Sequence, residues 1–496
     1  MSAFNLKKHS VTRLLMTAAA ASALAGCLGS NGDNHDASIV DHPPQVVIDY
    51  TQDIPAVEWG PTYTVTAFAP AQRSWQWMVK EDPNFSHGDV HPDQAVRGLR
   101  EGGQTCASCH AVGGIAPPPS TLGANLVGAD ADPIPGKVGY RGLDVQAAYT
   151  DLQFFLKVSW QTQQGRPGAT HGLWTYKEGD GSWAAVDKYK PTELLADGYD
   201  AYSFEDHLTL MFLPKSVNVP AEPNAAVTSL ANFHTVGCWI GCHTDTTAMP
   251  EYAGGATLNM YLLSTRVGDW GSDPVDQATI DALKLAGEFP DLWHYRAART
   301  GPVQSTTDAY LLQTRGPDAL DFGTTGTNPF VQNEDPIGSG NIKWMYDDAV
   351  MGFNAWPRSE WNAEDQNAPP LIIGGPNANA EPFDPGVDFE DGALIPKWAL
   401  QPVEPGVTGG SRADVKTYTT YAVDPDTGEG TWTVVFERAR VTGNADDHDL
   451  NPDSEDYTFA FAVYDDHSNV RWHHVTFPVS LGTEGSGADI EAHYNN

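Results

Sequence analysis

A mainly β protein, rich in loops and poor in helices, is what three features of this 496-residue chain predict. Glycine and proline are abundant, at 48 and 36 residues, and 15 tryptophans accompany them. Short runs alternate at period two, and segments with helical period are few. Residues 28 to about 55, with Gly29-Ser30-Asn31-Gly32-Asp33-Asn34, read as a polar tether. Tyr63 to Phe68 alternates as a strand does, and a Pro-rich stretch runs from Ala116 to Ser120. Val145 to Trp160 has the pattern of a hairpin turning at Thr150-Asp151. Thr279 to Ala286 is one of the few plausible helices, and Gln304 to Pro385 reads as a long irregular connection that serves a function or wraps another element. Strands return in Gly430–Arg438, Tyr457–Asp465 and Arg471–Phe477. No repeat of fixed period is present. The expected organisation is a leader over 1–26, a tether over 27–55, a small N-terminal segment over 56–139 and a β domain over 140–496.

Two cysteine pairs, each followed at once by a histidine, carry the chemistry: Cys106-Ala107-Ser108-Cys109-His110 and Cys238-Trp239-Ile240-Gly241-Cys242-His243. In the first, two intervening residues set the thiols at the separation of the two vinyl groups of a haem, and the histidine lies beneath the iron as axial ligand. In the second, three residues intervene; a local bulge absorbs the extra one and the order Cys, Cys, His is kept. A zinc knuckle or a pair of disulfides would leave the histidine after both pairs unexplained. The expectation is two covalent haem c groups, one in the N-terminal segment on Cys106 and Cys109 with His110, the other in the β domain on Cys238 and Cys242 with His243. For the sixth position of the first haem, His87, His91 and Met78 precede the motif, and His234, four residues before Cys238, could reach across from the other haem. A lone loop histidine is more often solvated than ligating. His171, His207 and His294 read as structural histidines. Asp446-Asp447 and the run Asp453 to Asp456 read as solvated loops, with calcium binding as an alternative that has no regular ligand spacing behind it.

The fifth cysteine, Cys27, ends Leu24-Ala25-Gly26-Cys27 after Lys7, Lys8, Arg13 and a short apolar run from Leu14 to Leu24. This is the pattern of a bacterial lipoprotein signal, too short in its apolar part to span a bilayer. Cys27 is expected to be the lipidated first residue of the mature chain, and Leu28 after it suggests sorting to the outer membrane. Acyl chains then anchor the protein without a transmembrane helix, and export fits covalent haem attachment, which in bacteria takes place outside the cytoplasm. The chain has 28 Lys and Arg against 64 Asp and Glu, a net charge of -36, and loss of the three leader cations takes it to -39. Such a surface repels nucleic acid and anionic membrane; it suits basic redox partners or a salty habitat.

Five strings in order resemble one family. They are Phe154-Phe155-Leu156-Lys157-Val158-Ser159-Trp160, the stretch Phe204–Phe212, Asp291-Leu292-Trp293-His294-Tyr295-Arg296-Ala297-Ala298-Arg299, Gly430–Arg438, and the block Phe459–Val475. Over about residues 140 to 485 the chain is similar to the haem-binding domain of ethylbenzene dehydrogenase gamma subunits and related cytochromes. The resemblance implies a β-sandwich enclosing one haem near its edge, acting as an electron carrier beside or downstream of molybdenum enzymes of the dimethyl sulfoxide reductase family. Gamma subunits bind a non-covalent b-type haem through Met and Lys. Here a Cys-Cys-His motif stands near the place of that methionine, and His473 and His474 occupy the place of the lysine. The resemblance therefore implies His243 as proximal and His473 or His474 as distal ligand. Strand alternation sends the two side chains to opposite faces, so at most one reaches the iron, and the family position favours His473. Met249, six residues beyond His243, is a further candidate, although a methionine there more often packs nearby than ligates. Bis-His ligation closes the iron and fits electron transfer better than catalysis. The expected function is that of a dihaem c-type cytochrome lipoprotein passing electrons between redox proteins in the periplasm or at the outer membrane, in a respiratory chain. A dihaem peroxidase is the enzymatic alternative, although that family is helical; a haem subunit of a molybdenum oxidoreductase is the third reading.

Overall fold

The structure, a computed structural model, describes residues 49–51, 53–68, 140–162, 173–186, 205–217, 233–237, 277–297, 299–310, 330–336, 339–357, 372–373, 379–400, 410–424, 426–427, 429–465 and 474–496. All of these belong to one compact unit, Val47–Asn496. The fold is mainly β, as the alternating runs predict. Its strands are β1 (Asp49–Tyr50), β2 (Tyr63–Phe68), β3 (Tyr140–Tyr149), β4 (Gln153–Thr162), β5 (Leu173–Lys177), β6 (Ser182–Val186), β7 (His207–Pro214), β8 (Asp291–Arg296), β9 (Thr307–Tyr310), β10 (Phe330–Gln332) and β11 (Trp344–Tyr346). They continue with β12 (Ile372–Ile373), β13 (Ala380–Pro382), β14 (Leu394–Pro396), β15 (Trp398–Leu400), β16 (Lys416–Val423), β17 (Gly430–Ala439), β18 (Tyr457–Tyr464), β19 (His474–Thr476), β20 (Val479–Thr483) and β21 (Ile490–Tyr494). The longest helix among the described residues is Gln277–Leu285, at the place where the sequence predicts one.

Thirteen strands form one sheet in the order β1-β16-β17-β4-β3-β2-β19-β18-β7-β8-β9, with β20 and β21 beside it. The hairpin β3–β4 turns where expected: the Thr150 hydroxyl accepts hydrogen bonds from the backbone N–H of Leu152 and Gln153 and so stabilises the tight loop. Alternate residues of each strand face a common interior, among them Trp160, Phe212, Trp293, Trp432, Phe436 and Phe461. Trp293 of β8 meets Phe436 of β17 with ring centroids 5.7 Å apart, and Tyr295 meets Trp432 at 6.2 Å. β8 and β17 are far apart in the sheet order, so the sheet folds over and packs one half on the other. Burial of each such side chain is worth about 1.5–3 kcal/mol, which makes this interior the main source of stability.

Both sides of this double layer are bridged. The edge of β3 not taken by β4 pairs with β2 and β21, the edge of β18 not taken by β7 pairs with β19 and β20, and β2–β19 and β20–β21 join the halves. On the far side Ser305, just before β9, bridges to Lys416, and Thr306 N–H donates to the Val415 carbonyl at 3.1 Å. The strands β1 and β2 come from the segments 27–55 and 56–139, and each is paired within the same sheet as residues 140–496.

The stretch 304–385 is less irregular than its composition suggests. Together with β5, β6, β14 and β15 it builds three small sheets over a second core that includes Met345, Tyr346, Phe389 and Ile395. Trp183, Phe383 and Phe389 pack there as rings, with Phe383 stacked on Phe389 at 5.8 Å. Aromatic side chains supply this satellite core with area that strands of two or three residues could not otherwise bury.

Candidate functional site

The site is built on β18, a strand buried on both faces. Tyr457, Phe459, Phe461 and Val463 face the main interior. Thr458, Ala460 and Ala462 point the other way, are also buried, and are small. Chain docks on this small outer face immediately ahead of the second cysteine motif. A one-turn helix, Phe233–Val236, buries Phe233 completely. His234 places Nδ1 2.7 Å from the Thr458 hydroxyl and Nε2 3.4 Å from the Val217 carbonyl, and its burial lowers its pKa. Gly237 follows at φ +60°, a left-handed conformation that ends the helix and favours glycine. A Cβ on Gly237 would lie 2.8 Å from the Ala460 Cβ and 3.5 Å from Pro478. Backbone therefore lies in direct contact with the outer face of β18 one residue before Cys238.

The register brings two further elements to the same stretch. In β7, Met211 stands opposite Ala460 and Thr209 opposite Ala462. In β19, Val475 stands opposite Ala462 and His474 opposite Val463. Ala460 and Ala462 are two residues apart, about 7 Å along a strand. The entry to the second motif and the start of β19 thus meet on one short length of β18. His474 shares the interior face of Val463 and is buried, with 1% of its surface exposed.

Beyond Thr209 the outer face of β7 and β8 turns polar. His207 and His294 pack edge to face at 5.0 Å, and His294 Nε2 lies 3.3 Å from His207 Nδ1. His207 Nε2 is 3.3 Å from Glu205, whose carboxylate also binds Arg299. Burial pushes His207 down to about 4 and His294 well below the usual histidine range, so both rings are neutral near neutral pH and act as packed hydrogen-bonding groups.

Of the candidate ligands the sequence singles out, His234 and His474 are placed, and both lie against β18. Cys27, His87, His91, Cys106, Cys109, His110, Cys238, Cys242, His243 and His473 lie outside the described residues. Two buried features carry no sequence signal of their own. Arg141 pairs with Asp465 at the end of β18, and Arg438 pairs with Asp291 and Asp308 inside the sandwich. Each unites residues far apart in the chain, and in the second cluster only the Asp446-Asp447 run lies near a member.

Small side chains on β18 let the backbone at Gly237 come close, and a thiol-bearing motif follows at once. Cytochrome c-552 of Stutzerimonas stutzeri is 45% identical over 62 residues, which are 12% of this chain and 20% of that protein. The chain thus spans only a fifth of the length of that curated relative. A family model described as ethylbenzene dehydrogenase matches residues 119–476, well over half of the sequence; the match takes in the second motif, His473 and His474, and begins after the first motif. On that match the chain belongs to the ethylbenzene dehydrogenase family.

Proposed function

We propose that the protein is a dihaem c-type cytochrome lipoprotein that carries electrons between redox partners on the periplasmic or outer-membrane side of the cell. The observation that carries the reading is the docking of Phe233, His234 and Gly237 on the small face of β18, directly ahead of Cys238-Trp239-Ile240-Gly241-Cys242-His243. A haem there supplies reversible one-electron chemistry. In this assignment Cys238 and Cys242 hold the second haem with His243 as proximal ligand, and His473 is the distal ligand. His474 faces the interior with Val463, away from the face of Ala462, which supports a reading in which it is not the ligand. Cys106, Cys109 and His110 hold the first haem, with His87, His91 or His234 as candidate sixth ligands. His234 is the weakest of these, since both its ring nitrogens face protein oxygen atoms. Cys27 carries the lipid. Basic redox proteins suit the net charge of -36, and a molybdenum oxidoreductase is the partner class that family membership favours.

Intact mass and a pyridine haemochrome assay on the purified protein test this. Two thioether-bound haems are expected, falling to one in Cys238→Ala. A single haem that is unchanged by Cys238→Ala would remove the second assignment. Cys27→Ser is expected to release a soluble protein with both haems; retention in the membrane fraction would show another anchor.

A further inference from the structure

Within the sandwich, three carboxylates from three separate segments converge on one guanidinium. Asp291 opens β8, Asp308 lies in β9, and Asp447 follows β17 in the loop that leads to β18. One oxygen from each can be chosen so that all lie within 4.8 Å of one another. Asp291 and Asp308 have no exposed surface, and neither has Arg438. Arg438 Nη1 donates to Asp291 Oδ2 at 2.8 Å and lies 3.7 Å from Asp308 Oδ2; the His448 N–H also donates to Asp291 Oδ2, at 3.1 Å. Asn444 donates to Asp447 Oδ2 at 3.1 Å. Among the described residues Asp291 Oδ1, Asp308 Oδ1, Asp308 Oδ2 and Asp447 Oδ1 are buried and receive no N–H or hydroxyl donor, and Asp291 and Asp308 lie close enough to share a proton.

Three carboxylates and one guanidinium leave a formal deficit of two positive charges. Uncompensated charge in a protein interior is among the most costly arrangements known, and buried oxygens without donors add to the cost. A divalent cation removes both costs at once. We propose that Asp291, Asp308 and Asp447 form a structural calcium site. The donors are all oxygen, which favours a hard cation over zinc or copper. Oxygens within 4.8 Å of one another fit inside a calcium shell with ligands at about 2.3–2.6 Å, and an all-protein, irregular oxygen set suits calcium better than magnesium, which demands near-ideal octahedral geometry and usually keeps several waters. The ion ties β8 and β9 of one half of the sandwich to the loop leaving β17 of the other. It thereby clamps the two layers at the end of the core nearest Trp293 and Phe436.

The test uses the full, haem-loaded protein. Elemental analysis of the protein as purified should find one calcium per chain. After EGTA treatment and removal of the chelator, thermal melting followed by circular dichroism should show a Tm that drops and is restored by added calcium chloride. Titration calorimetry with calcium should give one site, weakened at least about tenfold in Asp447→Asn. Asp447 is the choice because it sits in a loop and is only partly buried; Asp308→Asn is the stronger variant if it folds. Asp446→Asn, at the neighbouring carboxylate that accepts from the Ser411 hydroxyl and is outside the cluster, should keep the calcium response. A Tm that is identical with and without millimolar calcium, and higher in Asp308→Asn, would show that protons rather than a metal neutralise the cluster and overturn the proposal. Binding that survives intact in both Asp447→Asn and Asp308→Asn would put the ion on the acidic surface, and tighter binding of magnesium would reject calcium.

Discussion

The two faces of β18 solve different problems with the same strand. Its interior face carries Tyr457, Phe459, Phe461 and Val463, large side chains that pack against Phe212 and the rest of the main core. Its outer face carries Thr458, Ala460 and Ala462, equally buried yet small. Alternation along this strand is therefore one of size and not of polarity. A face that is buried without bulk must be covered by something that comes close, and among the described residues the backbone at Gly237 lies against Ala460, with Pro478 beside that glycine. The difference teaches that one side of the strand supplies stability while the other is reserved for what docks on it. Substitutions on the two sides should then separate fold stability from haem content.

The largest effect is expected on the interior face. Phe461 is fully buried among Phe459 and its core neighbours. Phe461→Ala should destabilise the protein by about 3–5 kcal/mol in urea denaturation, the usual cost of a truncated buried phenylalanine. The folded fraction should still carry its full haem complement. A proportionate loss of haem at unchanged stability would mean that the interior face also contacts the cofactor and would break the division between faces.

Acid should probe the outer surface next. His207 belongs to the polar end of that surface, and its pKa in the fold is pushed down to about 4, mainly by burial and against the pull of Glu205. The unfolded chain binds this proton near pH 6.5, so as pH falls from about 6.5 to 4 the unfolded state is protonated first and the fold loses stability. The loss across that window is roughly 3 kcal/mol for this one residue. Denaturation midpoints in His207→Gln should fall less steeply over the same interval than those of the parent protein. Equal slopes would show that His207 shares its burial penalty with Glu205 and Arg299 and does not titrate independently.

How much of this was legible in the residue text differs between the two faces. The hairpin Gln153–Thr162 with its partner could be read because alternation, length and the Thr150-Asp151 turn agree locally. The run Tyr457–Asp465 was readable as a strand from its own pattern, whereas Asp291–Arg296 stood out only through the family resemblance. The satellite core was not. Trp344–Tyr346 and Trp398–Leu400 are three-residue strands, too short to show a period, and the rings that hold them together come from Trp183, Phe383 and Phe389, distant in sequence. At the site, the Cys-Cys-His motifs are local and announce themselves. The docking of Gly237 on Ala460 depends on a strand register and a positive φ that no short-range pattern encodes. Asp291, Asp308, Asp447 and Arg438 were invisible as a group because three strands and a loop must meet before their charges do.

A smaller and more specific effect is expected where chain meets the outer face. Gly237→Val imposes a side chain on a left-handed backbone and brings it into Ala460, at a cost of about 1–3 kcal/mol. Global stability should fall less than in Phe461→Ala, while intact mass should show a rise in the one-haem species, since the chain entering Cys238 is displaced. Adding Ala460→Gly removes the collision and should recover part of the second haem. Full occupancy in Gly237→Val would detach the docked helix from haem attachment.

The finest separation lies in two adjacent residues. His474 opens β19 opposite Val463 and is buried on the interior face, so His474→Met should lower stability modestly and leave the reduction potential of the second haem where it was. His473→Met should do the reverse. If His473 is the distal ligand, exchange of imidazole for thioether favours the ferrous state, so the potential of the second haem rises and that of the first is unchanged. Optical redox titration of both variants reads the difference directly. A low-spin bis-histidine spectrum that survives in His473→Ala and is lost in His474→Ala would mean that β19 presents His474 to the iron from the interior side, which would place the haem inside the sandwich and reverse the roles assigned to the two faces of β18. A spectrum untouched by either change would move the distal ligand off this strand altogether, and the small face of β18 would then serve only to seat the attachment loop.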